Sequence, residues 1–202
     1  SLLSGAMAAV VLLPAYLGIM QTSSAKLDFP KELWYGTFGN IFSRHLLGTT
    51  PLTMAVDDSK INLYCGILTL LMAGFYLAVR EIRLIDKIRR LLLLVFLFFS
   101  FNMPVLGYIW HGFHDQYGIP NRYAFLYIFA LLAMAYEGYC VLARGQRKIS
   151  MGIYTSVILC GVLIEAAIQT VTVKMEMKTV YATLAAIIVY MACFGLYQKK
   201  IL

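Results

Sequence analysis

Six apolar runs of about 20 residues divide this chain, and that is the length an α-helix needs to cross about 30 Å of hydrocarbon at 1.5 Å per residue. They fall at about 1–20, 61–79, 91–109, 123–143, 149–173 and 179–197. Lipid offers no partner to an unpaired backbone N–H or C=O, so the pattern predicts an all-α fold, a polytopic transmembrane helix bundle of about six spans. The whole of 1–202 then reads as a single transmembrane domain. Composition agrees: 61% of the 202 residues are hydrophobic and 13% charged, against about a quarter charged in a soluble domain.

Net charge is +7, but the basic residues are placed for topology and not for nucleic acid. Arg80, Arg83, Lys87, Arg89 and Arg90 follow the second run, Arg144, Arg147 and Lys148 the fourth, and Lys199 and Lys200 the sixth. The remaining basic residues are mixed with acids in the alternate stretches. By the positive-inside rule, 80–90 and 144–148 are expected as cytoplasmic loops, 21–60 and 110–122 as outward loops, and both ends of the chain as cytoplasmic. The Arg80 to Arg90 stretch reads as a topology anchor, with an anionic-lipid site as the other reading.

The first run lacks the basic stretch that precedes the apolar region of a signal peptide, and the chain opens without methionine; an internal piece of a longer protein is expected. Pro14 is tolerable in such a helix. Cys65, Cys140, Cys160 and Cys193 all lie inside the apolar runs without paired spacing, and read as small apolar residues.

The two long outward loops hold most of the chemistry. In 21–60, KELWYGTFGNIF has the aromatics of an interfacial helix or a re-entrant segment, and Arg44 and His45 follow it. Asp57 and Asp58 stand before the second run, two carboxylates suited to a divalent cation or a sugar hydroxyl, although adjacent acids on a loop are also commonly just solvated. The stretch YIWHGFHDQYGIPNRYAF, 108–125, is denser. Trp110, His111, His114, Asp115, Asn121 and Arg122 bring donors, acceptors and two imidazoles to the membrane surface, while Gly112, Gly118 and Pro120 shape the backbone. The planar guanidinium of Arg122 matches a phosphate bidentately at the depth of a lipid phosphate; snorkelling from the end of a span is the plainer alternative. His111 and His114 are spaced for one helical face, but no third and fourth metal ligand is evident.

Glu137 and Glu165 interrupt otherwise apolar runs. A charge at the bilayer centre costs about 2.5 to 3.5 kcal/mol or more, so each is expected to face a partner or a wet cavity, or to be protonated and packed. Glu165 lies about 10 Å from the outward end of its run and is the better neighbour for the outward loops.

From Ile61 to Leu132 the order INLYCGILTLL, a basic stretch, LLLLVFLFFSFN and WHGFHDQYGIPNRYAFLYIFALL resembles the bacterial YfhO family of polytopic membrane proteins. The resemblance covers about seventy residues well, through its WHGF and P-x-R-Y-x-F elements; 145–202 resembles it only as generic spans. It implies a GT-C-like glycosyltransferase of the bacterial plasma membrane, taking a sugar from an undecaprenyl-phosphate carrier and adding it to a cell-wall polymer such as lipoteichoic acid. Under it, Arg122 would meet the carrier phosphate while Trp110, His111, His114 and Asn121 frame sugar or acceptor and Glu165 stands near. Enzymes of this type usually carry their catalytic acid in the first outward loop of the complete protein. A carboxylate upstream of Ser1 is therefore expected, with Asp57, Asp58 and Asp115 as substitutes within the chain. No resident cofactor is implied, a divalent cation being compatible. The expected partners are the bilayer, the polyprenyl-linked sugar and the polymer acceptor. A transporter or flippase, resting on Glu137, Glu165 and the aromatic loops, and a scaffold are the competing readings.

Overall fold

A computed structural model describes residues 2–21, 29–49, 51, 61–113, 121–144, 160–161 and 177–198. Among them are seven helices and no strand: α1 (Leu2–Met20), α2 (Phe38–Ser43), α3 (Ile67–Ala78), α4 (Leu84–Ser100), α5 (Pro104–Trp110), α6 (Ala124–Ala143) and α7 (Met177–Gln198). The bundle is held by α3 against α6, with α4 packed on α6 and α7 on α3. By length and apolarity, α6 and Met177–Tyr197 are able to cross a membrane, and α4 with α5 makes a third if the pair is one bent span; Gly5–Met20 and Ile67–Ala78 are shorter apolar helices. The expected fifth span lies outside the described residues except for Cys160 and Gly161.

Two expected spans are not continuous helices. In 61–79 the helix starts only at Ile67. Before it, Ile61 and Leu63 are buried while Asn62 and Tyr64 are exposed, the alternation of extended chain. Gly66, at φ +97°, turns the chain into the helix through backbone space that a side chain would disfavour, and Thr69 Oγ1 donates to the Cys65 carbonyl at 2.8 Å across the first turn. The run 91–109 is displaced and broken. Its helix begins at Leu84, inside the stretch expected as a basic loop, because LIDKIRR already places Leu84, Ile85 and Ile88 at helical spacing. It stops at Ser100, and α5 leaves at 103° to it. Pro104, with no N–H to donate, takes the first position of α5, where none is needed.

Packing gives the helices their directions. Val79, just past α3, shares a cluster with Val141 and Leu142 at the end of α6, so α3 and α6 run the same way. The α4 helix runs opposite: its Arg90 is ion-paired with Glu137, while Trp110 and Tyr123 reach Ser100 at its other end. One end of the bundle therefore carries Arg83, Lys87, Arg89 and Arg90, and the other carries the ends of the 111–121 connection. We call them the basic end and the loop end. Arg90 also lies 5.4 Å over the Tyr76 ring, and the Lys87 ammonium donates to the Val79 carbonyl, so two of the basic residues tie α4 to α3.

Close approach of α3 and α6 depends on Gly138. A Cβ there would stand 2.7 Å from the Met72 carbonyl oxygen, a backbone atom that cannot swing aside. Gly138→Ala is expected to lower stability by about 1–3 kcal/mol, read as a fall in thermal midpoint in detergent. Gly195→Ala is the control: its added methyl would meet nothing within 4 Å.

Of the stretch expected as an outward loop with an interfacial or re-entrant segment, 29–36 is largely exposed while the part around α2 packs into the bundle. Asn40, Ile41, Ser43, Arg44, His45 and Leu46 are all buried. Phe38 stacks on Phe98 at 5.7 Å and Phe42 sits 4.9 Å from the same ring, so α2 is pressed against the loop-end half of α4. The Asn102 side chain fixes the approach to α2, accepting from Gly36 N at 3.1 Å and donating to Gly36 O at 2.8 Å. Beyond α2, Leu47 N donates to Thr183 Oγ1 at 2.9 Å, which ties the segment to α7.

Candidate functional site

Four of the residues singled out in the sequence stand at the two ends of the 111–121 connection. Trp110 closes α5, His111 follows it, and Asn121 and Arg122 lead into α6. What joins the ends is Tyr123. Its ring lies between Trp110, stacked at 4.8 Å and 19°, and Phe101, stacked at 5.3 Å and 26°; His111 is 6.1 Å away. Such pairs hold aromatic surfaces together with about 0.5–1.5 kcal/mol beyond their burial.

Beneath the rings, the polar atoms converge on the last turn of α4. Trp110 Nε1 donates to Ser100 Oγ at 2.7 Å. The Tyr123 hydroxyl, with one proton to give, has the Ser100 carbonyl at 2.9 Å and Asn121 Oδ1 at 3.0 Å as acceptors. Asn121 Nδ2 donates to the Phe101 carbonyl at 3.2 Å. Asn121 holds a left-handed φ of +56°, a conformation that asparagine tolerates better than most residues and that turns the chain into α6. Burial pushes the Tyr123 hydroxyl up to about 12, against the opposing hydrogen bond to Ser100. At neutral pH it is therefore protonated and serves as a hydrogen-bond donor.

Arg122 is exposed beside this cluster. It stands at the start of α6, whose N-cap residue Tyr123 makes no side-chain capping hydrogen bond. The first N–H groups of a helix and its positive dipole end favour an anion, and a neighbouring guanidinium adds to that field. Trp110 is partly exposed, at 41%, and presents indole surface on the same end. His111 is more constrained, its Nδ1 held 2.6 Å from the Gly107 carbonyl, which leaves Nε2 as the nitrogen turned to other partners.

A second polar group lies deeper. His45 Nδ1 is 3.1 Å from the Ile41 carbonyl and 3.3 Å from that of Phe42, so Nδ1 carries the proton. Nε2 then accepts from the Tyr127 hydroxyl at 3.2 Å. Burial brings the His45 pKa down to about 4, outweighing the two carbonyl contacts, and keeps the ring neutral.

His114, Asp115, Asp57, Asp58 and Glu165 lie outside the described residues. Glu137 is paired with Arg90 on the basic end, away from the loop-end cluster. Among the described residues no three of His, Cys, Asp and Glu gather as metal ligands. Ser100, Asn102 and Tyr123 were not singled out by the sequence reading. The available signal was Ser100 and Asn102 in SFNMP, polar residues where an apolar run breaks.

No curated protein and no solved structure matches the chain. The model of the family described as bacterial membrane protein YfhO does, and it matches residues 1–202, well beyond the 61–132 stretch that carries the resemblance by eye. With its helical bundle, its apolar spans and a match over the full length given, the chain belongs to the YfhO family of bacterial membrane proteins.

Proposed function

We propose that this chain is the membrane part of a glycosyltransferase that takes a sugar from undecaprenyl phosphate and adds it, outside the plasma membrane, to a cell-wall polymer such as lipoteichoic acid. The observation that carries the reading is the joining of Trp110, His111 and Asn121 around Tyr123, with Arg122 exposed beside them at the start of α6. In this reading Arg122, aided by the positive dipole end of α6, stabilises the phosphate as the sugar leaves. Trp110 offers a flat apolar surface to the sugar, and His111 and His114 serve its hydroxyls or those of the acceptor. The carboxylate that assists the attacking hydroxyl is supplied from elsewhere in the protein or by Asp57, Asp58 or Asp115. Family membership and membrane location support the proposal; the sugar carrier and acceptor belong to it alone.

Arg122→Ala, introduced into the whole protein, is expected to cut sugar addition to the polymer tenfold or more, the loss of about 1.5–3 kcal/mol for a charge-assisted contact. Arg122→Lys should recover part of it. The assay is labelled-sugar incorporation in membranes, with the amount of protein in the membrane measured alongside. Undiminished incorporation by the alanine variant would remove Arg122 from the phosphate site.

A further inference from the structure

An open groove of about 530 Å³ runs between α3, α6 and α7 on the side of the bundle. Along α6 its wall extends from Leu132 to Ala143, about 16 Å at 1.5 Å per residue. That is close to half of the roughly 30 Å hydrocarbon thickness, the depth of one leaflet. Its lining is almost wholly apolar, with Ala135 and Cys193 making room, Tyr136 near mid-depth, and Tyr139 and Tyr197 toward the basic end. Tyr136 is 68% exposed, on a wall that a packed helix would cover. Cys160, a described residue of the expected fifth span, lies away from the groove, buried against Leu46, Ile67, Val180 and Ile187 at the loop ends of α3 and α7. Where the groove reaches the basic end, Ala143 gives way to Arg144, exposed at the C-cap of α6. The full charge of its guanidinium exceeds the roughly half-unit negative charge of the helix end beside it.

We propose that this groove seats one anionic phospholipid from the leaflet at the basic end, with an acyl chain lying along α6 and the phosphate at Arg144. Each part of the groove then has an occupant of matching chemistry. The apolar wall takes the chain, the tyrosine hydroxyls near the mouth face the ester level, and Arg144 meets the headgroup. The proposal is independent of the sugar-transfer reading, which concerns the opposite end of the bundle.

The test places a reporter in the wall. Tyr136→Trp, in the whole protein reconstituted in nanodiscs, is titrated with brominated phosphatidylglycerol or brominated phosphatidylcholine of the same chains. Quenching is counted in excess of that shown by the parent protein, which has Trp34 and Trp110. Half-quenching is expected at about fivefold lower mole fraction of the anionic lipid, the preference that one basic group at a membrane surface supplies. Adding Arg144→Gln should bring the two curves together. Equal quenching by both lipids in the arginine-bearing protein would overturn the headgroup assignment. Absence of quenching by either would show that protein, from this chain or another copy, covers the groove.

Discussion

Glu137→Ala is expected to destabilise the bundle by about 1–2 kcal/mol, while the double variant Glu137→Leu with Arg90→Leu recovers most of that loss. Arg90 comes from α4 and Glu137 from α6, and the two are ion-paired among apolar neighbours. Removing the carboxylate alone leaves the partly buried Arg90 guanidinium over the Tyr76 ring without its ion-pair partner. The cost falls between the ~1 kcal/mol of an exposed pair and the ~3–5 kcal/mol of breaking a fully buried one. Removing both replaces the pair by leucines, which lipid and the α4–α6 contact accept, and such exchanges are often close to neutral. The measurement is urea or thermal unfolding in detergent of the parent, both single variants and the double. A loss in the double variant equal to the sum of the two single losses would mean that each residue acts on its own and that the pair contributes nothing.

Acid should weaken the protein through His45, beginning below pH 6.5. The folded ring has a pKa brought down to about 4 from the ordinary 6.5, so the unfolded chain binds the proton first as pH falls. Stability from this source is complete above pH 6.5 and declines steadily toward pH 4, by about 3 kcal/mol over that window. The cost arises because a protonated ring would carry a charge in a buried site where Nε2 already accepts from Tyr127. His45→Gln retains a polar side chain of similar reach and cannot titrate. The difference in unfolding free energy between parent and variant should therefore shift with pH only inside this window. A difference that stays flat from pH 7 to pH 4 would contradict a buried neutral imidazole.

How much of this was legible in the residues depended on what hydropathy can register. The helices α6 and α7 came within two residues of their expected limits, because neither contains a proline and each carries a single charged residue in a long apolar run. The stretch 61–66 looked like the start of a span because Ile61 and Leu63 are apolar. Average hydropathy does not distinguish an extended segment with alternate residues buried from a turn of helix. The bend at Phe101 to Met103 was hidden for a related reason, since proline is tolerated in a transmembrane helix and Pro104 by itself does not announce a break. The burial of α2 escaped because Trp34, Phe38 and Phe42 suit an interface as well as a core; the choice is made by Phe98 and Phe99, sixty residues away.

The site divides similarly. Trp110, His111, Asn121 and Arg122 stood out because so many polar and aromatic side chains in one short outward stretch exceed what a turn requires. Their organiser did not. Tyr123 reads from sequence as one more interfacial aromatic, and Ser100 as a small residue tolerated in an apolar run. Only the sharp turn from α4 into α5 brings Trp110 back onto Ser100, ten residues before it, and so gives Tyr123 something to close against.

That closure has a consequence for what this end of the bundle can carry. Because Trp110 and Tyr123 are clasped to each other and to Ser100, the two feet of the connection are fixed by groups outside its middle. A chain whose ends are already pinned pays little for a change in length, about 0.6 kcal/mol for each doubling. The bundle thus acts as a socket, and the intervening residues as an insert that can be lengthened, shortened or recoded for a different recognition task while the fitting beneath them is left intact.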